Sequence, residues 1–212
     1  MDRRLFCFGD SFTDFKYLSL IDYTPADPSY DHWSSIVSRS FKARLVNYGQ
    51  SGGSNMLILR RIIRALPYIK PGDLIITGLS FSQRFELPDI NDTTGKNFMS
   101  TTGDPQFLHN ATEKQKEVVV DFVLNWVHPY EEKWDRYWLN LFESFHIYLK
   151  ETKDIEYYLW RVKELHGSFQ TITEATKGKK EDFHWSEQGN EDFGKFVTEK
   201  LNEKFWKSYM QY

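Results

Sequence analysis

Apolar positions along the chain fall into two kinds of run, short unbroken ones and longer ones spaced at three and four. Leu5-Phe6-Cys7-Phe8 is too short for a helix and apolar on both faces, which predicts a central strand covered on each side, and Leu74-Ile75-Ile76-Thr77 reads as a third strand. Ala43 to Asn47 reads as a second strand and Ile155 to Trp160 as a fourth. Between the strands the spacing turns helical. Asp31 is the expected cap of a helix with Trp33, Ile36, Val37 and Phe41 on one side, and a second helix runs from Met56 to Leu66 and stops near Pro67. Further helices are predicted over Glu113 to Val127, over Glu131 to Glu151 and from Ser186 onward, the last with Phe193, Phe196, Val197, Leu201 and Phe205 turned inward. In the Glu131 to Glu151 segment Trp134, Tyr137, Trp138, Leu141, Phe142, Phe145 and Leu149 form the stripe expected to face the core.

Alternation of strand and helix with short connections predicts an α/β fold, a three-layer sandwich with a mostly parallel central sheet flanked by helices. Phe85 to about Thr112 breaks the pattern. It is rich in Pro, Asn, Asp, Gly and Thr, and a loop of that length in a compact domain is a candidate lid or specificity loop. A chain of 212 residues can bury one substantial core, so the economical reading is one domain over 1–212 with a loop and helical insertion at about 85–150.

Charge and composition narrow the function. The formal net charge of −3 gives no electrostatic footprint for nucleic acid. A lone cysteine, Cys7, cannot form an internal disulfide and reads as a small buried hydrophobe. The apolar run near the N-terminus is broken by Gly9 and Asp10 too early for a signal peptide, and no stretch approaches the ~20 apolar residues of a membrane helix. The expectation is a soluble chain without membrane insertion, cytoplasmic by default. Aromatic residues reach 17%, and most are expected in the core and its rim rather than on a sugar-stacking surface. The basic run Lys177 to Lys180 reads as a solvated loop.

The chemistry concentrates at the two ends. The first strand stops at Gly9-Asp10-Ser11, and Gly9 can turn the chain sharply there because it has no Cβ. Ser11 thus lies just past the carboxyl end of a strand, where open α/β sheets place their sites. Near the other end, Glu181-Asp182-Phe183-His184-Trp185-Ser186 puts acids within three residues of a histidine, in a loop before an amphipathic helix. An imidazole aimed at a serine and oriented by an acid is the logic of nucleophilic acyl transfer. Of the other five histidines, His146 falls within the aromatic helix, His128 precedes a proline, and His32, His109 and His166 lack a partner pattern; no pair has metal-ligand spacing, so neither metal nor cofactor is expected. The glycine loop Gly49-Gln50-Ser51-Gly52-Gly53 lacks the Gly-Lys-Ser/Thr ending of a phosphate-binding loop.

On these residues the chain resembles the SGNH (GDSL) hydrolase family. Gly9-Asp10-Ser11 matches the family's first block, Asn47-Tyr48-Gly49-Gln50-Ser51-Gly52 its Asn-x-Gly-x-x-Gly second block, and the acids before His184 its last. The third block, usually Gly-x-Asn-Asp after the next strand, is replaced by Gly78-Leu79-Ser80-Phe81-Ser82-Gln83-Arg84-Phe85-Glu86, without an Asn.

The resemblance implies a serine esterase acting on small-acyl or carbohydrate O-acetyl esters. Ser11 would be the nucleophile and His184 the base, with Ser11 and Gly52 amides holding the oxyanion. The family's usual spacing of three places the orienting acid at Glu181, whereas a spacing of two, which also occurs, places it at Asp182, the favoured residue. In place of the missing Asn, a side-chain oxyanion donor is expected from Ser80 or Ser82, with Asn55 as the alternative. Arg84 is expected to pair with Glu86. Two other readings stay open: a non-catalytic glycan-binding or structural module, motivated by the missing Asn, and an acyltransferase using the same serine.

Overall fold

The computed structural model describes residues 3–16, 31–88, 98–101, 112–175 and 183–209. Four strands, β1 (Arg4–Gly9), β2 (Arg44–Gly49), β3 (Leu74–Leu79) and β6 (Glu156–Arg161), form one parallel sheet in the order β2-β1-β3-β6. A separate two-stranded antiparallel pair joins β4 (Phe85–Pro88) to β5 (Phe98–Thr101). The helices are α1 (Trp33–Ser40), α2 (Asn55–Ala65), α3 (Glu113–Phe122), α4 (Glu131–Lys153), two single turns α5 (Val162–Leu165) and α6 (Ile172–Ala175), and α7 (Glu187–Tyr209).

The unbroken apolar runs explain the layers. Leu5 and Cys7 of β1 pack with Leu74 and Ile76 of β3 into one core, which also takes Trp33 and Val37 from α1 and Phe193, Val197 and Leu201 from α7. The alternate residues Phe6, Phe8, Ile75 and Leu79 point into a second core with Ile58 and Ile62 of α2 and Trp138, Phe142 and Leu149 of α4. A strand that is apolar at every position is thus buried on both faces, as parallel sheets require. Cys7 lies fully buried in the first core, and burial pushes its thiol pKa well up. Among the described residues no helix is long and apolar enough to cross a membrane.

Strand order reverses at β1, whose neighbours β2 and β3 are reached by connections leading to opposite sides. The crevice at the carboxyl ends of β1 and β3 is where such sheets hold ligands, and it is there that Gly9 delivers the chain.

Several local expectations need correction. The N-cap of α1 is His32, whose ring nitrogen accepts the Ser34 N–H, while Asp31 instead pairs with Arg39 (Nη1 to Oδ1 2.8 Å). Within Phe85 to Thr112 the chain is not all loop, because it contributes the β4–β5 pair; the rest of that segment lies outside the described residues. The core-facing stripe of α4 is narrower than expected: Trp138, Phe142 and Leu149 are buried, but Tyr137 is 53% exposed and Trp134 36%. Between α3 and α4 the helix does not simply stop at Pro129. Val123–Val127 forms a π-helical turn, followed by a 3-10 turn over His128–Tyr130. Pro129 has no N–H to continue an α-helical ladder, and the Trp126 carbonyl accepts the Trp134 indole N–H at 3.1 Å.

Candidate active site

The loop after β1 is wound tightly. The Asp10 carbonyl accepts the Thr13 and Asp14 amides at 3.0 and 2.9 Å, and Asp10 Oδ1 accepts the Phe12 amide at 3.1 Å. A Cβ at Gly9 would overlap Thr13 Oγ1, so only glycine lets the turn close on the strand end. The β2 loop then clasps it. Gln50 N–H donates to the Gly9 carbonyl (3.1 Å), Ser51 N–H to Asp14 Oδ2 (3.1 Å), and the Asn47 side-chain amide to the Thr13 carbonyl (2.8 Å). From the opposite side the Trp33 indole donates to the Phe12 carbonyl at 2.7 Å. Ser11 is therefore fixed by backbone bonds on both sides of it.

His184 reaches the same point from the other end of the chain. Its Nε2 lies 2.7 Å from Ser11 Oγ, a contact between residues 173 apart in sequence. The His184 loop is anchored to the start of α6 and the residues just before it: Ile172 N–H donates to the His184 carbonyl (2.8 Å) and Ser186 N–H to the Gln170 carbonyl (2.9 Å). Gly189 permits this approach, since a Cβ there would overlap the Gln170 carbonyl oxygen. The imidazole stacks on Phe12 with ring centroids 4.7 Å apart, and Phe12 in turn meets Trp185 edge-on. Glu181 and Asp182, the expected orienting acids, lie outside the described residues.

Among the described residues neither the Ser11 nor the Gly52 N–H is taken up by a hydrogen bond. Gly52 holds φ +71, the left-handed region that favours glycine, in the loop after β2. The side chains expected as oxyanion donors are engaged elsewhere. Ser80 Oγ donates to Asp10 Oδ2 at 2.8 Å and Ser82 Oγ donates to Asp135, and a hydroxyl has one proton to give. Asn55 clamps the backbone of Ser80, its Oδ1 accepting the Ser80 N–H (2.8 Å) and its Nδ2 donating to the Ser80 carbonyl (3.1 Å). In this arrangement the three tie the carboxyl end of β3 to α2, α4 and the serine loop.

Sequence reasoning missed the ion pair beneath the serine. Asp10 is fully buried, and Arg84 Nη1 meets its Oδ2 at 2.8 Å and Ser80 Oγ at 3.1 Å. The expected Arg84–Glu86 pair does not form, because Glu86 is held by Arg60 at 2.8 Å. A buried carboxylate needs a charged or multiply donating partner, so an Asp directly before a serine at a strand end was itself a signal that some arginine must reach it. His32 also lies under this loop, and burial lowers its pKa to about 3, against weaker upward pulls from the Phe12 backbone and Asp31.

The class that emerges is a parallel α/β fold with a serine–histidine pair at the carboxyl end of its first strand. No protein-family model and no curated protein sequence matches the chain. Among solved structures it is similar to the aryl esterase of M. smegmatis, at 15% identity over 95% of this chain and 99% of that one, with a TM-score of 0.46. It is also similar to a carbohydrate acetylesterase family member from Sinorhizobium meliloti, at 13% identity over 95% and 98% of the two chains, TM-score 0.45. A member of the lipolytic protein G-D-S-L family from Veillonella parvula shares 17% identity over 95% and 97%, TM-score 0.37. At such identities and scores, fold and site are read from the chain's own topology and geometry.

Proposed function

We propose that this chain is a serine ester hydrolase. The observation that carries the reading is the 2.7 Å contact between Ser11 Oγ and His184 Nε2; the Ser11 and Gly52 amides, in the loops after β1 and β2, are not otherwise engaged among the described residues. With its Nε2 unprotonated, the imidazole accepts the Ser11 hydroxyl proton as Oγ attacks an ester carbonyl. The carbonyl π pair moves onto oxygen, where the Ser11 and Gly52 amides meet the charge, each donor worth roughly 10²–10³ in rate in comparable sites. On collapse the C–O bond to the alcohol breaks and His184 returns the proton to the leaving oxygen. Water then attacks the acyl-serine by the same route, giving the carboxylic acid and free Ser11.

Small-acyl and carbohydrate O-acetyl esters are the substrates the family resemblance suggests. Asp182, or failing it Glu181, would accept a hydrogen bond from the other imidazole nitrogen. Buried Asp10 and Arg84 act on the serine only through the backbone, as positioning residues. The oxyanion site works through backbone amides, with Ser80, Ser82 and Asn55 in supporting roles.

Hydrolysis of p-nitrophenyl acetate by the wild type and by Ser11→Ala tests the proposal. Turnover that is lost in the variant supports it. Equal turnover by both, or none by the folded wild type across acetyl esters of phenols and sugars, overturns it; the latter result would favour the binding-module reading.

A further inference from the structure

A small apolar pocket of about 160 Å³ lies past the carboxyl end of β3, between the amino end of α2, the stretch from Ser82 to Glu86, the π-helical turn and the start of α4. Its walls are Met56, Phe85, Phe122, Val127, Trp134 and Trp138. Three observations connect it to the serine. Arg84, on its rim, holds Asp10, the residue before Ser11. Met56 follows Asn55, whose amide clamps Ser80, and Ser80 donates to that same Asp10. The carboxyl end of β3 is also the edge of the sheet to which β1 delivers Ser11. A larger cleft of about 550 Å³, lined by Arg3, Arg4, Arg44 and Lys70, belongs to the opposite edge, where β1, β2 and β3 begin.

One wall of the pocket is irregular. Phe122 precedes the π-helical turn and Val127 closes it, and such turns are frequent at functional sites. This accounts for aromatic residues of α3 and α4 that the core does not absorb: Phe122 is 40% exposed and Trp134 36%. A volume of this size admits a group about as large as a benzene ring or a short alkyl chain, since an apolar cavity of about 150 Å³ in another protein binds benzene.

Building on the esterase reading, we propose that this pocket is a specificity subsite that takes an apolar group of the ester, up to the size of a benzene ring. That group is either the acyl chain or the alcohol portion, and the two arms of the test separate them. In the acyl arm kcat/KM is compared for ethyl butanoate and ethyl acetate; in the alcohol arm, for benzyl acetate and ethyl acetate. One arm should show a preference of roughly tenfold or more for the larger ester, the discrimination that buried methylenes give a hydrophobic pocket. Val127→Trp, which fills the pocket, should bring that ratio close to one. Trp134→Ala, at a half-exposed wall, should move the preference toward a larger group. Ratios are read because effects on the chemical step cancel in them.

Binding is measured separately from turnover, by saturation-transfer NMR of benzyl alcohol with the Ser11→Ala protein and with Ser11→Ala/Val127→Trp. A signal present in the first and absent in the second supports the pocket even where no ester is hydrolysed, which isolates failure of the esterase reading. An active enzyme with no preference in either arm, or a preference unchanged in both pocket variants, overturns the subsite.

Discussion

Two histidines each hold, through Nε2, a hydroxyl borne by the central sheet or by the loop at its edge: His184 with Ser11 at 2.7 Å and His146 with Thr77 at 3.0 Å. Their surroundings differ in every way that matters for chemistry. Thr77 sits inside β3 with no exposed surface, and His146 is equally buried in α4, its Nδ1 donating to the Phe142 carbonyl at 2.6 Å and its ring stacked on Tyr157. That backbone bond places the ring proton on Nδ1, so Nε2 accepts from Thr77 and the pair is complete. Ser11 lies past its strand, in a loop gripped from both sides, and its backbone N–H is not otherwise engaged among the described residues. On the proposed reading, the contact within a strand fastens the core and the contact beyond a strand end is the one placed to react.

The comparison breaks most sharply under substitution. Ser11→Ala and His184→Ala should each lower kcat for an acetyl ester by roughly 10³-fold or more, with the melting temperature nearly unchanged. Thr77→Val should do the reverse. It leaves the His146 Nε2 without its hydroxyl partner, costing about 1–3 kcal/mol in a urea melt, while kcat of the folded protein stays within a few-fold. A large loss of kcat in Thr77→Val with unchanged stability would erase the distinction between the two pairs.

The orienting acid sharpens the reactive side. Asp182→Asn should lower kcat strongly by favouring the wrong imidazole tautomer, and Glu181→Gln should lower it much less. The reverse ranking in steady-state kinetics would assign the role to Glu181.

A smaller effect comes from a third histidine. His32 stays neutral in the folded protein down to about pH 3, whereas in the unfolded chain it takes up a proton as pH falls through its ordinary value of 6.5. Its folded-state pKa is depressed, so the unfolded state binds more protons in between, and stability should decline as pH drops from about 6.5 toward 3. His32→Asn keeps a side-chain acceptor at the N-cap and should flatten that part of the curve in denaturant melts taken at successive pH values. An unchanged slope would show that other groups govern the acid limb.

Much of the scaffold was legible because its signals are local. Unbroken apolar runs such as Leu5 to Phe8 and Leu74 to Ile76 mark strands buried on both faces, and Phe193, Val197 and Leu201 mark a helix face at ordinary spacing. Ser11 and His184 stood out through their immediate neighbours, and the structure places them in contact. What stayed hidden depends on partners far away in sequence. Thr77 and His146 are 69 positions apart, and Asp10 and Arg84 are 74 apart, so the nearer Glu86 looked the better partner for Arg84. Ser80 and Ser82 suited an oxyanion role by position, but two carboxylates, Asp10 and Asp135, take their protons. Trp134 and Tyr137 follow core spacing on α4, yet they are partly exposed while Trp138 beside them is buried.

The most direct measurement is covalent labelling with a fluorophosphonate, read by intact mass and peptide mapping on the wild type, Ser11→Ala and Thr77→Val. The account predicts a single adduct on Ser11 in the wild type and in Thr77→Val, and none in Ser11→Ala. Equal labelling of Ser11→Ala, or an adduct mapped to another residue of the wild type, would contradict it.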